Sequence, residues 1–268
     1  SRWMVEILAE TQPTAPIRGV HERSDVDVRA KEGLEPATGM IWGEEPPGRI
    51  EIAEPSLSGR PLRFLVDPWH GHKTGFYLDQ SVNRRRVAAY ANGAETLNVF
   101  SYTGAFGIHA LAAGAKSVVN VDSAADALAL AREHTRLNGF EVHEDGFREG
   151  DAFAVLRRLR EEGHRFDLIV LDPPKFVHSA GQIDRAARAY KDLNMVAFQI
   201  LRPGGILASF SCSGLVSADL FQKIVFGAAL DSGRDACIIE KLSQSPDHPI
   251  ALTFPEAEYL KGLICQVR

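Results

Sequence analysis

Leu97-Asn-Val-Phe-Ser-Tyr-Thr-Gly-Ala-Phe-Gly107 joins an apolar run to a turn of small residues. We expect the run to be a buried strand and the turn to open a helix, which is the repeating unit of an α/β fold. A turn of this kind brings backbone N–H groups close to a ligand. It lacks the GxGxxG spacing, so a nicotinamide or flavin dinucleotide is disfavoured as that ligand.

The same unit recurs from about residue 80 to the end of the chain. Further apolar runs predict buried strands at 117–121, 166–171, 206–210, 236–239 and 262–267. Helical periodicity lies between them. One predicted helical face carries Leu193, Val196, Ile200 and Leu201, and Arg202-Pro-Gly-Gly205 ends that helix. This alternation predicts an α/β fold with a doubly wound, mostly parallel sheet.

Residues 1–78 have a different composition, rich in Pro, Gly and Glu. The short alternating runs Arg49–Ile52 and Leu62–Val66 predict β-hairpins within a small α+β domain. We therefore divide the chain into this domain, residues 1–78, and a larger α/β domain, residues 79–268.

Composition and charge narrow the functional classes. The chain has 268 residues, a formal net charge of −5 and three cysteines without CxxC spacing. It has no apolar run of the ~18 residues that cross a bilayer and no signal-peptide pattern at its start, so we expect a cytoplasmic protein. The negative charge argues against a surface that grips nucleic acid everywhere. Local basic groups remain at Arg84–Arg86 and at Lys175, Arg185, Arg188 and Lys191.

Acidic residues follow two of the predicted strands. Asp122 closes a strand ~20 residues after the first turn, where a carboxylate accepts hydrogen bonds from ribose hydroxyls. Asp151, followed by Ala152, precedes another helix and is placed to accept from an adenine amine. Polar sites for an amino-acid end, a ribose and an adenine, without a diphosphate site, suit S-adenosylmethionine. The alternative is that both acids only cap helices; Ser123 is a further candidate cap, for a helix that stops at Asn138-Gly139.

The segment Asp172-Pro-Pro-Lys-Phe176 follows the strand at 166–171. The prolines fix the backbone, so that the Asp172 carboxylate and the Pro173 carbonyl can hold a flat, nitrogen-bearing ring. Such a segment serves methylation of exocyclic amines as well as of ring carbons.

Cys212, in Ser211-Cys-Ser213 at the end of the strand at 206–210, separates these reactions. Carbon 5 of cytosine is a poor nucleophile until a thiolate adds to carbon 6, whereas an amine needs no cysteine. A cation or the helix that Ser213-Gly214 leads into would favour the thiolate. The alternative is a cysteine that only packs at the strand end.

Several long motifs carry a resemblance to a known family. They are His21–Asp25, His70–Gln80, Asn98–Gly104, Asp172–Phe176, Phe210–Gly214, Asp219–Lys223, Asp247–Pro249 and Tyr259–Gly262. In these stretches the chain resembles the bacterial large-subunit (23S) ribosomal RNA cytosine-5 methyltransferase I family.

The resemblance implies a seven-stranded class I methyltransferase sheet in residues 79–268, S-adenosylmethionine as cofactor and large-subunit ribosomal RNA as partner. It implies that Cys212 attacks the base and that the segment His72–Gln80 folds over the cofactor. It also implies an RNA-binding PUA domain ahead of the residues that this chain contains. The cofactor contacts implied by the family motifs are Lys73, Thr74, Gln80, Asn98, Phe100, Ser101, Tyr102, Thr103 and Gly104.

One position departs from the family pattern, which has Arg after the Gln where this chain has Ser81; Arg84 and Arg85 are candidates to fill the same space. His70 and His72 lack a third ligand at convincing spacing, so we predict no metal.

The sequence leaves open whether a water or His248 accepts the cytosine proton. It also leaves open the oligomeric state, a homodimer included.

Two other functions stay open. One is methylation of an exocyclic amine of RNA or protein by Asp172 and Pro173 alone. The other is an RNA-binding module without catalysis, which would bind no cofactor. We expect the chain alone to bind RNA weakly, with a salt dependence confined to the basic face from Lys175 to Lys191.

Overall fold

A computed structural model describes most of the chain. The described residues are 3, 6, 7, 17–24, 29, 32–71, 75–177 and 179–268.

Two β-hairpins occupy the N-terminal part of the described chain. Strands β1 (Gly19–Ser24) and β2 (Ala37–Gly43) pair antiparallel, and β3 (Ile50–Glu54) and β4 (Leu62–Val66) form a second two-stranded sheet. The second sheet is the one that the alternating sequence runs predict.

The other strands of the described chain form one seven-stranded sheet. Its strands are β5 (Glu95–Val99), β6 (Ser117–Asp122), β7 (Phe147–Glu149), β8 (Phe166–Leu171), β9 (Leu201–Ser211), β10 (Ala236–Ser243) and β11 (Lys261–Val267). Their order is β10-β11-β9-β8-β5-β6-β7, and only the two pairings of β11 are antiparallel. The predicted doubly wound, mostly parallel seven-stranded sheet is confirmed. The three-residue strand β7 is too short for its periodicity to be read from the sequence.

Six helices accompany these strands in the described chain. They are α1 (Ser81–Ala88), α2 (Ala105–Ala112), α3 (Ala125–Leu137), α4 (Ala152–Glu161), α5 (Ile183–Ile200) and α6 (Ala218–Asp231). Single 3₁₀ turns lie at Leu78–Gln80, Glu144–Gly146, Ala180–Gln182 and Pro255–Ala257. None of the described helices is both long and apolar enough to span a bilayer.

Strand β8 shows why the sheet is covered on both faces. Its side chains alternate between two hydrophobic clusters: Ile169 and Leu171 pack with residues of α4, α5 and α6, whereas Leu168 and Val170 pack with residues of α1 and α2. All four are at most 1% exposed. A strand buried on both faces needs the continuous apolar run that the sequence has here.

Two boundaries differ from the sequence predictions. Ser123 does not cap α3, because Ala124 occupies the N-cap position and makes no side-chain bond there. Leu201 begins β9 and is not part of the preceding helix. The predicted stop at Asn138-Gly139 is confirmed: Asn138 is the C-cap and Gly139 adopts φ +79°.

The chain divides into two compact units. One comprises Ser1–Ile52 with Leu65–Phe76, and the other Ala53–Phe64 with Tyr77–Arg268. The domain boundary between residues 78 and 79 stays a prediction, and part of the helical content expected before it falls outside the described residues.

A buried ion pair ties α1 and α2 to Glu54 within the larger unit. The Arg84 guanidinium donates to both Glu54 oxygens, at 2.9 and 2.7 Å, and to the Tyr77 carbonyl at 2.9 Å. His109 Nε2 lies 3.1 Å from the same carboxylate. Burial alone would raise the pKa of Glu54, but the His109 hydrogen bond and the Arg84 charge lower it to about 2.

We predict that Arg84→Met destabilises the chain by about 3–5 kcal/mol, because it leaves the Glu54 charge buried without its cation. Arg86→Met is the matched control: Arg86 lies two residues after Arg84 in the same helix and its pair with Glu240 is exposed. We expect a loss below about 1 kcal/mol. Urea unfolding followed by circular dichroism measures both. Equal losses in the two variants would contradict the prediction.

Candidate active site

The carboxyl ends of β5 and β8 lie side by side. Val99 and Leu171 are register partners, and the Asp172 N–H donates to the Val99 carbonyl at 3.4 Å. The chain winds from β5 to β6 and β7 in one direction and from β8 to β9 in the other. Open α/β sheets bind ligands at such a reversal point. The turn after Val99 and the segment that starts at Asp172 therefore border one crevice.

The turn after β5 has an unusual backbone. Phe100 and Tyr102 adopt φ +60° and +48°, and Gly104 adopts φ +80°. Left-handed conformations are costly for aromatic residues and cluster at ligand sites. The turn is held by the Tyr102 N–H, which donates to Asp122 Oδ2 at 2.7 Å, and by the Gly104 N–H, which donates to the Ser101 carbonyl at 2.8 Å.

Two hydroxyls in this turn are buried without a hydrogen-bond partner in the described chain. They are Ser101 Oγ and Thr103 Oγ1, on residues that are 7% and 2% exposed. An unsatisfied buried hydroxyl costs about 1–3 kcal/mol, so such groups in a crevice fit a polar ligand. The turn thus suits the polar, non-phosphate cofactor that the sequence predicts.

Asp122 and Asp151 occupy the predicted strand ends, and both make local hydrogen bonds. The second oxygen of Asp122 accepts the Ala124 N–H at 3.0 Å. Asp151 caps α4 by accepting the Ala154 N–H at 2.9 Å, and Ala152 is the buried first residue of that helix. A carboxylate has about four acceptor positions, so these bonds leave room for a ribose or an adenine amine.

Four other predicted cofactor residues stay predictions. The Asn98 side chain is 1% exposed and donates to Asn120 Oδ1, on the neighbouring strand β6, at 2.9 Å. Ser123 is exposed and is not part of the turn. Lys73 and Thr74 lie outside the described residues.

Gln80 reaches the site through Asp172. Its Nε2 donates to Asp172 Oδ1 at 2.9 Å, and its Oε1 accepts from Asn83 Nδ2 at 2.6 Å. Gln80 and Asn83 are 3% and 2% exposed, so their side chains have little freedom to move. This buried chain of amides orients the Asp172 carboxylate, a role that the sequence prediction of a cofactor contact missed.

Cys212 lies directly after the last residue of β9, Ser211, and is half-buried. Its Sγ is 3.8 Å from the Pro173 carbonyl oxygen, so the thiol lies beside the Asp172-Pro173 segment. The helix that Ser213-Gly214 leads into begins four residues after Gly214: α6 starts at Ala218, with Ser217 as its N-cap.

Tyr190 and Lys261 hold the backbone on either side of Cys212. The Ser211 hydroxyl donates to the Tyr190 hydroxyl at 2.9 Å, which in turn lies 3.1 Å from Ser213 Oγ. Lys261 Nζ donates to the Ser213 carbonyl at 2.8 Å. Sequence reasoning assigned neither residue a role. The signal for Lys261 was a lysine at the start of a strongly apolar strand.

Two further tyrosines border the site. Burial raises the pKa of Tyr77, and the charges of Asp172 and Cys212 add to the effect. Burial also raises the pKa of Tyr259, whose hydroxyl donates to Asp79 Oδ2 at 2.7 Å. Both phenols are therefore neutral near pH 7.

The remaining predicted residues lie around this centre. The His248 ring lies 6.5 Å from the ring of Tyr259. Arg84 is engaged in the buried pair with Glu54, whereas Arg85 keeps a buried Nε without a hydrogen-bond partner in the described chain. Among the described residues, no group of three or more side chains is placed to hold a metal ion.

Of the four basic residues that the sequence predicts as an RNA-binding face after Pro174, three are unpaired in the described chain and one is paired. Lys175, Arg185 and Arg188 are exposed, and none has a carboxylate partner within 4.0 Å in the described chain. Lys191, by contrast, pairs with Asp231 at 2.7 Å. Three of the four predicted cations therefore remain available to a phosphate backbone.

Comparison with known proteins agrees with this geometry. Residues 34–263 match the model of the S-adenosylmethionine-dependent methyltransferase family. "Ribosomal RNA large subunit methyltransferase I" of Aeromonas salmonicida is 53% identical over 253 residues, which are 94% of this chain and 63% of that protein. The relative of the same name from Shewanella amazonensis is 51% identical, over 98% of this chain and 65% of that protein. The chain thus spans less than two thirds of these relatives.

Solved structures share the fold. A SAM-dependent methyltransferase from Streptococcus mutans superposes with a TM-score of 0.81 at 23% identity, over 99% of this chain and 66% of that one. A methyltransferase complexed with SAH gives a TM-score of 0.82 at 22% identity, over the same shares. The family model covers most of the chain and the predicted resemblance is confirmed, so the chain belongs to the S-adenosylmethionine-dependent methyltransferases.

Proposed function

We propose that this chain transfers a methyl group from S-adenosylmethionine to carbon 5 of a cytosine in large-subunit ribosomal RNA. The observation that carries the proposal is the Cys212 thiol, 3.8 Å from the Pro173 carbonyl and beside Asp172. The names of the curated relatives support large-subunit RNA as the substrate. The cysteine favours a ring carbon as the acceptor, because an exocyclic amine needs no covalent activation.

The cofactor is held at the turn after β5 and the next two strand ends. The buried hydroxyls of Ser101 and Thr103 would bind the amino-acid end, Asp122 would accept from the ribose hydroxyls and Asp151 from the adenine amine. Bound there, S-adenosylmethionine supplies an electrophilic sulfonium methyl group.

Asp172, Pro173 and Cys212 act on the target base. A cytosine flipped out of the RNA presents its polar edge to the Asp172 carboxyl and the Pro173 carbonyl. The Cys212 thiolate forms a bond to carbon 6, and the ring electrons move to carbon 5. Carbon 5 then bonds to the methyl group, whose bond to the cofactor sulfur would break and leave its electron pair on the sulfur of S-adenosylhomocysteine. A proton shared between Asp172 and ring nitrogen 3 stabilises the negative charge that the ring gains.

Release of the product completes the reaction. A base removes the proton from carbon 5, the electron pair reforms the 5,6 double bond, and the bond to Cys212 breaks to return the thiolate. A water molecule or His248 accepts that proton. Cys212 serves both as nucleophile and as leaving group, so one cysteine is sufficient.

Methylation of an exocyclic amine is the competing function. The Asp172-Pro173 segment supports it, because a carboxyl and a carbonyl are the acceptors that an amino group requires. It assigns no role to Cys212 or to the residues that hold its backbone. A module without cofactor binding is disfavoured by the family match and by the unsatisfied hydroxyls of the turn.

We predict that Cys212→Ala lowers carbon-5 methylation at least ~10³-fold, because it removes the nucleophile. RNA containing 5-fluorocytosine should form a lasting adduct with the wild-type chain, since fluorine blocks the final elimination, and none with the variant. Denaturing gels measure the adduct. Cys237→Ala, at another half-buried cysteine, is the control and should keep it. An adduct that survives in Cys212→Ala would overturn the assignment.

Asp122→Asn should weaken S-adenosylmethionine binding about 10–100-fold, because the ribose loses a charged acceptor. Isothermal titration calorimetry measures the affinity. Asp126→Asn removes an exposed carboxylate from the first turn of α3 and serves as the control, with unchanged affinity expected. Equal affinities for the two variants would show that Asp122 only supports the turn.

The basic face predicts the salt dependence of RNA binding. The double variant Arg185→Gln/Arg188→Gln should reduce the slope of log affinity against log salt by about 1.4–1.8, since each phosphate contact contributes about 0.7–0.9. Fluorescence anisotropy at several salt concentrations measures the slope. Lys223→Gln, whose lysine is exposed but paired with Asp219, should leave it unchanged. A double variant with the wild-type slope would place the RNA elsewhere.

A further inference from the structure

Lys261 is a buried cation beside the proposed nucleophile. It is the first residue of β11 and lies opposite Ser211 in the antiparallel pairing of β9 with β11, and Cys212 follows Ser211 directly. The residue is only 7% exposed. The pairing therefore fixes this ammonium next to the end of the strand that carries the thiol.

The ammonium is only partly satisfied by its neighbours. Of its three N–H groups, one donates to the Ser213 carbonyl at 2.8 Å. No carboxylate lies within 4.0 Å of Nζ in the described part of the chain. Taking an ammonium out of water is costly unless a negative charge compensates for it. Lys261 thus lacks a carboxylate partner where it is buried.

The electrostatic interactions of Lys261 indicate that its negative partner is the thiolate of Cys212. Burial lowers the pKa of Lys261, and a negative charge on Cys212 is the main effect that raises it again, followed by Glu258. The coupling is reciprocal, so a positive charge on Lys261 favours the thiolate to the same extent.

Other ionisable groups lie in the same neighbourhood. Tyr77, Tyr190 and Tyr259 interact electrostatically with Cys212. The carboxylates that act on these phenols or on Lys261 are Asp79, Asp172, Asp247 and Glu258. The carboxylates oppose a second negative charge at Cys212. The three phenols stay neutral, because burial raises the pKa of each, so Lys261 is the cation among these groups.

We infer that Lys261 is a positioning residue for Cys212: its ammonium, anchored on the Ser213 carbonyl, stabilises the thiolate form of the cysteine. This inference rests on the proposed function in one respect: that function gives the thiolate its role as a nucleophile. A free thiol is only a few per cent ionised at neutral pH, and a nearby cation increases that fraction.

The test is the pH dependence of alkylation of Cys212 by iodoacetamide, a neutral reagent that reacts with thiolates. Peptide mass spectrometry separates Cys212 from Cys237 and Cys265. We expect Lys261→Met to raise the pH midpoint of Cys212 alkylation by about one unit and to slow the reaction at pH 7 about tenfold. Lys261→Arg, which keeps the charge, should stay within about 0.3 unit of the wild-type chain.

Lys261→Gln separates charge from structure, because it keeps an N–H donor for the Ser213 carbonyl but removes the positive charge. We expect it to behave like Lys261→Met. The control Lys241→Met removes an exposed lysine from the neighbouring strand β10 and should not move the midpoint. Circular dichroism checks that each variant is folded.

A wild-type midpoint in Lys261→Gln would overturn the inference and leave Lys261 with a purely structural role. The alkylation assay uses neither RNA nor cofactor. Its outcome is therefore independent of whether cytosine is the substrate, which the Cys212→Ala variant decides.

Discussion

The pairing of β5 with β8 is the constraint on which the site depends. Register between Val99 and Leu171 places the ends of these two strands together, and the chain leaves them in opposite directions. The turn that starts at Phe100 and the segment that starts at Asp172 must then border the same crevice. The proposed cofactor turn and the proposed base-binding segment are thus neighbours by topology, before any side chain is considered.

Buried polar contacts fix the positions of Asp172 and of the residues around Cys212. Gln80 and Asn83 orient Asp172, Tyr190 links the hydroxyls on both sides of Cys212, and Lys261 holds the following carbonyl. Groups fixed in this way need little reorganisation when charge develops in the reaction. The site is therefore built from residues that touch the proposed reactants and from a buried layer that fixes them in place.

The sequence predicted most of the strands and the crevice because both depend on local pattern. Apolar runs between turns identify buried strands, and polar residues at the ends of parallel strands must meet at one edge. The roles of Gln80, Tyr190 and Lys261 depend on contacts with residues far away in the chain, which spacing does not reveal. The same holds for Asn98, which lies next to the turn in sequence and whose side chain donates to Asn120 on the neighbouring strand.

The identity of the methylated atom tests the central claim most directly. Large-subunit ribosomal RNA without the modification is incubated with the chain and S-adenosylmethionine labelled in its methyl group, then digested to nucleosides and analysed by mass spectrometry. The account predicts label in 5-methylcytidine. Label on an exocyclic amine, with none on carbon 5 of cytosine, would contradict it.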